Sequence, residues 1–381
     1  MTRYYRGTLT CAAATLALAG LTAMAPAALA QPVPQTSLDT PDAAVQAYWT
    51  PERMRSAKVI DLRPVSVPNA RRDAPKLDGT PLFHPGAAPT VKIDTGSVRA
   101  PNLPAQAGGP SPGMSTENVG NGGAYFTTTR VFPTDAPKTY PNSAAGILYF
   151  TDPNTGGNFI CSASAIGHRI ILTAGHCTAH ASTTAPYFYT NWLFVPAYSN
   201  GSEPYKSWTV NFATTTSNWY YSDGSVPNVQ DVGMLVANDQ KIKKSTESLG
   251  NVTGWLGWWT LWGQGYPNNI QQLGYPCNLD SCTLMEGNNA QGFAVTDNTV
   301  EIGSSMQGGS SGGPWIQDYG VAPAGAPAYT AGNWVIAVTS YEFTDLTQQI
   351  EGASIFENAG YSGNGFGDLW NTVCAEASGN C

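Results

Sequence analysis

The sequence predicts a β-rich fold, an antiparallel sandwich or barrel, and three observations carry that prediction. Beyond Tyr125 the chain is a succession of short β-type runs separated by turn residues, the texture of many-stranded antiparallel proteins. Its 381 residues include 41 glycines and 28 prolines, but only 12% are charged, a balance expected of a secreted β-globule. About 260 residues remain for this region, enough for two packed β-subdomains around one cleft.

From the N-terminus, Arg3 and Arg6 precede an alanine- and leucine-rich stretch over residues 9–25, and Ala28-Leu29-Ala30 supplies small residues at both cleavage-recognition positions. This pattern is a secretory signal peptide over residues 1–30, cut before Gln31. Thr10, Thr15 and Thr22 interrupt the apolar run, which falls short of the roughly 20 residues a bilayer span needs. Cys11 precedes most of that run, so a lipoprotein anchor is not expected there. No later stretch is long and apolar enough to span, and an extracellular protein without membrane attachment is predicted. The formal charge of -8 and the lack of a basic run exclude nucleic acid as a natural partner, since nothing would neutralise its phosphates.

Residues 31–123 are rich in proline, alanine and polar side chains, with Arg71-Arg72 in the middle and Gly108-Gly109-Pro110-Ser111-Pro112-Gly113 near the end. Such a segment has little periodic apolar surface to offset its chain entropy. It reads as a largely irregular propeptide followed by a linker, either inhibitory or a mere spacer. The mature N-terminus is expected between Gly113 and Tyr125, leaving a domain over residues 124–381. Strands are predicted at 145–150, 159–166, 169–173, 192–195, 208–212, 231–237, 270–275, 292–295 and 334–341. Over 368–374, Leu369, Trp370 and Val373 share one face and predict a C-terminal helix. No internal repeat is evident.

Of seven cysteines, loss of the signal removes Cys11 and leaves six, an even number in an oxidising compartment, which implies disulfides. Cys277 and Cys282 bracket a tight loop, Cys374 and Cys381 bracket the C-terminal stretch, and Cys161 and Cys177 remain. Sequence alone does not choose among the pairings. Zinc ligation is the competing reading, but the chain has no Cys-x-x-Cys and only four histidines, so neither a metal nor any cofactor is predicted.

Chemistry is concentrated in three places. His176 lies in Leu172-Thr173-Ala174-Gly175-His176-Cys177, Asp231 precedes an apolar run, and Ser311 lies in Gly309-Ser310-Ser311-Gly312-Gly313-Pro314. A serine hydroxyl is a poor nucleophile near neutral pH. It needs a neutral imidazole to take its proton and a buried carboxylate to orient that imidazole. Asp223 and Asp239 are weaker candidates for the carboxylate, one in a polar turn and the other after the apolar run. His168 and His180 read as structural, and His84 falls in the propeptide.

These motifs resemble the trypsin/chymotrypsin superfamily of serine endopeptidases over roughly residues 125–381. The resemblance implies a double antiparallel β-barrel of chymotrypsin type with a C-terminal helix. It implies His176, Asp231 and Ser311 as the catalytic residues, with the N-H groups of Gly309 and Ser311 as the oxyanion hole. In that superfamily the cysteine after the histidine bonds back to one on the preceding strand, and Cys161 is placed for that role. Ser305, Thr339, Ser340, Tyr341, Glu342 and Gly352 correspond to specificity-pocket walls.

Three departures narrow the expectation. Trypsin-like enzymes usually carry an aspartate before the serine, which a freed N-terminal amine pairs with on activation; here Ser310 stands there. With Gly274-Tyr275-Pro276 upstream, that serine is more similar to the bacterial glutamyl-endopeptidase branch. That branch binds an acidic substrate side chain with a histidine in the strand after the nucleophile, and no histidine follows His180 in this chain. The aspartate that gives trypsin its basic preference is replaced by Ser305, which leaves Glu342 as the acidic group able to attract a basic side chain if it points inward.

The predicted function is a secreted, monomeric serine endopeptidase acting on protein or peptide substrates through an acyl-enzyme, with kcat/KM rising with pH through the neutral range as the imidazole becomes neutral. A second reading is a catalytically silent relative that binds protein or glycan through Trp255, Trp258, Trp259 and Trp262, although no triad member is missing. An esterase is a third, but its Gly-x-Ser-x-Gly elbow and histidine-last order are not those of this chain.

Overall fold

The computed structural model describes residues 33–60, 81–95, 119–120, 124–228, 230–260, 269–296, 299–320, 332–356 and 365–381. The signal segment, Arg71-Arg72, residues 108–113, Trp262 and most of the window for the mature N-terminus lie outside the described residues. Among the described residues, no helix is long and apolar enough to cross a membrane.

The N-terminal part contributes β1 (Gln35–Ser37), α1 (Asp42–Tyr48), α2 (Pro51–Ser56), β2 (Lys58–Val59) and β3 (Phe83–His84). A hairpin of β4 (Val119–Gly120) and β5 (Ala124–Arg130) leads into the domain. Then come β6 (Ala145–Thr151), β7 (Asn158–Ala165), β8 (Ile170–Thr173), a small hairpin of β9 (Ala179–His180) and β10 (Tyr187–Phe188), β11 (Thr190–Pro196), β12 (Trp208–Thr215), the short α3 (Ser217–Tyr220) and β13 (Gly233–Ala237). The hairpin of β14 (Gln240–Ile242) and β15 (Ser245–Glu247), α4 (Leu249–Thr253) and β16 (Gly257–Trp259) lead to the second half. That half holds β17 (Asn269–Gly274), β18 (Glu286–Thr296), β19 (Thr299–Gly303), β20 (Pro314–Gln317), β21 (Trp334–Glu342), β22 (Ile350–Ile355) and α5 (Phe366–Glu376).

Pairing in the order β12-β11-β6-β7-β8-β13 closes on itself through β12 and β13, and β17-β20-β21-β22-β19-β18 closes through β17 and β18. These are two six-stranded antiparallel barrels. Closure removes most of the open edge that an antiparallel sheet would otherwise expose, leaving short stretches of β7 and β12 that other strands pair with. The second barrel is filled by Ile270, Val300, Ile302, Trp315, Ile336 and Ile355. Predicted strands at 145–150, 159–166, 208–212 and 334–341 fall on β6, β7, β12 and β21, with ends shifted by a few residues. The expected helix is α5, longer than 368–374, with Leu369 and Val373 fully buried and Trp370 partly so.

All seven residues of β6 are buried, although one face of a barrel strand usually meets water. Part of its cover comes from the N-terminal segment, where Trp49 packs on Tyr149 with ring centroids 5.2 Å apart, and part from within the domain, where Tyr198 meets the same ring edge-on and β17 of the second barrel lies against the strand. Val45 and Trp49 are themselves buried. Asp42 accepts hydrogen bonds from Thr209 Oγ1 and Asn238 Nδ2, both at 2.6 Å, and Tyr48 donates to Asn158 Oδ1 at 2.9 Å. Residues 33–60 are thus more structured than their composition suggests. They form an arm whose few apolar side chains find a core already assembled by the barrel, so no periodic run of their own is needed.

All six cysteines among the described residues are paired, as Cys161–Cys177, Cys277–Cys282 and Cys374–Cys381. The described tryptophans of the tryptophan-rich segment pack against other rings of the chain. Trp258 is buried against His84, Phe366 and Trp370, and Trp255 packs on His168 while its indole N-H donates to Pro85 O at 3.1 Å.

Candidate active site

The site lies where the two barrels meet and is assembled from short turns at strand ends. His176 sits in a single 3-10 turn, Gly175–Cys177, just after β8. The Cys161–Cys177 disulfide ties that turn to β7. Trp219 packs edge-on against the imidazole with centroids 5.9 Å apart, and its indole N-H is held by Ala179 O at 3.1 Å.

Asp231 is fully buried and lies just before β13. One carboxylate oxygen, Oδ1, accepts the His176 backbone N-H at 2.8 Å, and the other, Oδ2, meets His176 Nδ1 at 2.8 Å. Ser340 Oγ donates to Oδ2 at 2.6 Å. Three donors around one buried carboxylate satisfy it and fix the imidazole in the tautomer that carries its proton on Nδ1. His176 Nε2 is buried and has no hydrogen-bond partner among the described residues. Below the carboxylate, Asp231 N donates to Ser354 Oγ at 3.2 Å, and Ser354 Oγ donates to Asn228 O at 2.6 Å. Ser340 and Ser354 belong to the second barrel, so both barrels hold Asp231.

Ser311 is presented by a loop clamped between them. Ser162 N donates to Ser311 O at 2.7 Å and Gly312 N to Thr339 O at 2.7 Å. Ser162 Oγ donates to Gly309 O at 2.8 Å and accepts from Tyr275 N at 2.9 Å. The loop needs its glycines: Gly309 has φ +101° and Gly312 φ +77°, a region L-residues avoid. A Cβ on Gly312 would also stand 2.0 Å from Thr173 Oγ1. Neither the Gly309 N-H nor the Ser311 N-H donates to a described residue. Cys177 Sγ lies 3.9 Å from Ser311 O, which brings the histidine turn and the serine loop together.

The residues expected to form pocket walls divide. Thr339, Tyr341 and Glu342 line a small cavity of about 10 Å³ beside Gly308 and Ser311. Ser305 and Glu342 line a neighbouring one of about 160 Å³. Ser340 turns instead to Asp231, and Gly352 lies under the Tyr341 ring, where a Cβ would be 2.1 Å from the ring. Tyr341 donates to Glu301 Oε1 at 3.0 Å.

Glu351, also on the wall of the small cavity, is the residue that sequence reasoning missed. It is buried, bonded by Ser310 Oγ and Gln272 Nε2. Burial pushes its carboxyl up from 4.5 to about 7, against the opposing effect of its donors Ser310, Gln272 and Ser304. The network continues through the second barrel: Gln272 Nε2 donates to Thr339 Oγ1 at 2.9 Å, and Asn288 Nδ2 donates to Gln272 Oε1 at 3.2 Å. The available signal was an acidic residue inside an otherwise uncharged strand, Ile350-Glu351-Gly352-Ala353-Ser354-Ile355. Among the described residues, the one close set of metal-binding atoms is Cys161, His176 and Cys177. Its cysteines are joined in a disulfide and its imidazole faces Asp231.

Two closed barrels with a histidine-carboxylate pair and a glycine-framed serine define a chymotrypsin-type serine endopeptidase. A family model described as Trypsin matches residues 141–346, just over half of the sequence, and the chain belongs to the trypsin family. No curated protein matches it. Among solved structures it is similar to the protease Anisep from Arthrobacter nicotinovorans, with 24% identity over 56% of this chain and 90% of that one and a TM-score of 0.44. It is also similar to the thermostable serine protease AL20 from an extremophilic microorganism, with 22% identity over 58% of this chain and 93% of that one and a TM-score of 0.46. A Glu endopeptidase matches with 16% identity over 65% of this chain and 96% of that one, at a TM-score of 0.47.

Proposed function

We propose that the chain is a secreted endopeptidase made with a signal peptide and a propeptide, and that it cleaves peptide bonds through a His176-Asp231-Ser311 triad. The observation that carries this reading is the double hydrogen bond from the His176 backbone and ring to Asp231, which leaves Nε2 as the imidazole's available base. His176 takes the proton of Ser311 as its Oγ attacks the peptide carbonyl. The oxygen turns into an oxyanion facing the N-H groups of Gly309 and Ser311. His176 then gives its proton to the leaving amine, and an acyl-enzyme on Ser311 remains for water to hydrolyse by the same route. Asp231 orients the imidazole and stabilises the imidazolium.

The alternative of a silent binding protein finds little support in an aromatic segment whose described members, Trp255, Trp258 and Trp259, pack on His168, Trp370 and Trp334. Labelling by an active-serine phosphonate, with the adduct mapped by mass spectrometry, tests the reading. The adduct is expected on Ser311, and labelling should vanish in Ser311→Ala. Near-wild-type peptide hydrolysis by Ser311→Ala would overturn it. The secreted form is expected to lack residues 1–30, and processing to place the mature N-terminus between Gly113 and Tyr125. Terminal sequencing of both forms reads these directly.

A further inference from the structure

One edge of β7 is held by β6 from Asn158 to Ser164, while β8 takes the other edge only at Ser164 and Ala165. Before that point the second edge faces the cleft. Two things use it: Ser162 N donates to Ser311 O, and β2 of the N-terminal arm pairs with Phe159 and Ile160. The arm and the nucleophile loop therefore sit side by side on a single strand edge. Val59 closes the gap between them, since a Cβ built on Gly308 would lie 3.0 Å from Val59 Cγ2.

Direction decides what this contact does. The cavity beside Thr339, Tyr341 and Glu342 lies on the β21 side of Ser311 and takes the side chain on the acyl side of the scissile bond. The β7 edge lies on the other side, where the leaving-group half of a substrate must run. β7 runs from Phe159 towards Ser162 and so towards Ser311. A substrate with its acyl half on the β21 side would run away from Ser311 along that edge, antiparallel to β7. The Lys58↔Phe159 and Val59↔Ile160 pairing is parallel. The arm lies in the leaving-group subsites with its chain reversed.

We propose that the β7 edge is a docking surface for the chain's own arm, and that Lys58, Val59 and Ile60 block the leaving-group half of the cleft in an orientation that Ser311 cannot cleave. This rests on the serine-endopeptidase reading above and specifies its regulation. A reversed segment offers no peptide bond with its carbonyl at the Gly309 and Ser311 amides and its nitrogen towards His176. It occupies the site without being consumed. Its hold comes from the rest of the arm: β1 pairs with β12, Val45 and Trp49 are buried, and the Trp49 indole N-H donates to Asn191 O at 2.6 Å. Cutting the chain beyond the arm does not break these contacts. Activation requires the arm to leave or to be digested by another enzyme.

The test uses the full secreted chain and two substrates. One is a short acyl-side peptide with a p-nitroanilide leaving group; the other is an internally quenched peptide extending four residues into the leaving-group side. The extended peptide is expected to be selectively suppressed. Val59→Asp and, independently, Trp49→Ala should raise its kcat/KM at least tenfold while changing the short substrate less than threefold. An unchanged ratio in both variants, with the short substrate still hydrolysed, would overturn the proposal. Loss of activity on both substrates together with loss of phosphonate labelling at Ser311 would instead strike the endopeptidase reading. A measurement that needs no variant is mass spectrometry of wild-type self-digestion. Residues 57–61 should stay intact beside an active serine, and prominent self-cleavage there would refute the reversed orientation.

Discussion

Replacing Glu351 with Gln should make the protein more stable at pH 8 and leave it unchanged at pH 4.5. The wild-type carboxyl is fully buried between Ser310 and Gln272, and burial lifts it from 4.5 in the unfolded chain to about 7. Below pH 4.5 both states hold the proton and the group is neutral with respect to folding. Between 4.5 and about 7 the unfolded chain releases the proton while the folded chain keeps it, so stability falls as pH rises, and above about 7 the loss is complete. A displacement from 4.5 to about 7 corresponds to about 3 kcal/mol. Glutamine mimics the protonated acid: its amide can donate to Ser310 Oγ, whose own hydrogen can go to Gln307 O at 2.8 Å, and its carbonyl can accept from Gln272. Urea unfolding of the two proteins in a Ser311→Ala background, which prevents self-digestion, at pH 4.5, 6 and 8 reads the difference. The gap should open by about 3 kcal/mol in favour of Glu351→Gln, and other titrating groups cancel in the comparison. Parallel pH profiles, or a wild type that gains on the variant as pH rises, would refute the assignment of a carboxyl that resists ionisation.

Ser340→Ala removes one of three donors to Asp231 and should lower kcat about tenfold to a hundredfold, the worth of a hydrogen bond to a charged group being about 1.5–3 kcal/mol, with KM little changed; steady-state kinetics on a small peptide substrate checks it. Gly312→Ala places a methyl group 2.0 Å from Thr173 Oγ1 at a backbone angle alanine avoids. It should cost about a hundredfold or more in kcat/KM through displacement of Ser311, with all three disulfides still formed by mass mapping. The small size of the cavity beside Ser311 should favour alanine over phenylalanine or arginine at the acyl-side position. Glu342→Ala, which enlarges that cavity, should relax the preference in a peptide library digest.

What the sequence made legible follows from how local each signal is. The turn around His176 and the loop around Ser311 are written in consecutive residues, because a one-turn helix after a strand and two positive-φ glycines are short-range requirements. The strands at β6, β7 and β21 are long and apolar enough to stand out. β19, β20 and β22 escaped because their local signals contradict their environment. β20 begins at Pro314 straight after the glycine loop, and β22 carries Glu351 and Gly352 in a buried barrel wall. Ser340 reads as a pocket wall by its place in the motif. A register shift between Thr339 and Tyr341 breaks the strict alternation that such a reading assumes, and Ser340 turns to Asp231.

The arm was illegible for a deeper reason. An isolated segment that lacks periodic apolar residues does not fold, and composition is a sound guide to that. It is no guide to a segment that borrows another element's core. Val45 and Trp49 are buried against the first barrel, Trp49 on Tyr149 of β6, and β1 and β2 take strand edges that the barrel leaves open at β12 and β7. Each contact pairs residues a hundred or more positions apart, such as Gln35 with Thr214 and Val59 with Ile160, so neither partner announces the other. The one hint was in the recipient: β6 reads Ala-Gly-Ile-Leu-Tyr-Phe-Thr without alternation, which in an antiparallel barrel requires a cover on the outside. A strand too apolar for the surface it should present is thus a sequence signal for covering elements elsewhere in the chain, of which the docked arm is one segment. Here that segment ends against the nucleophile loop.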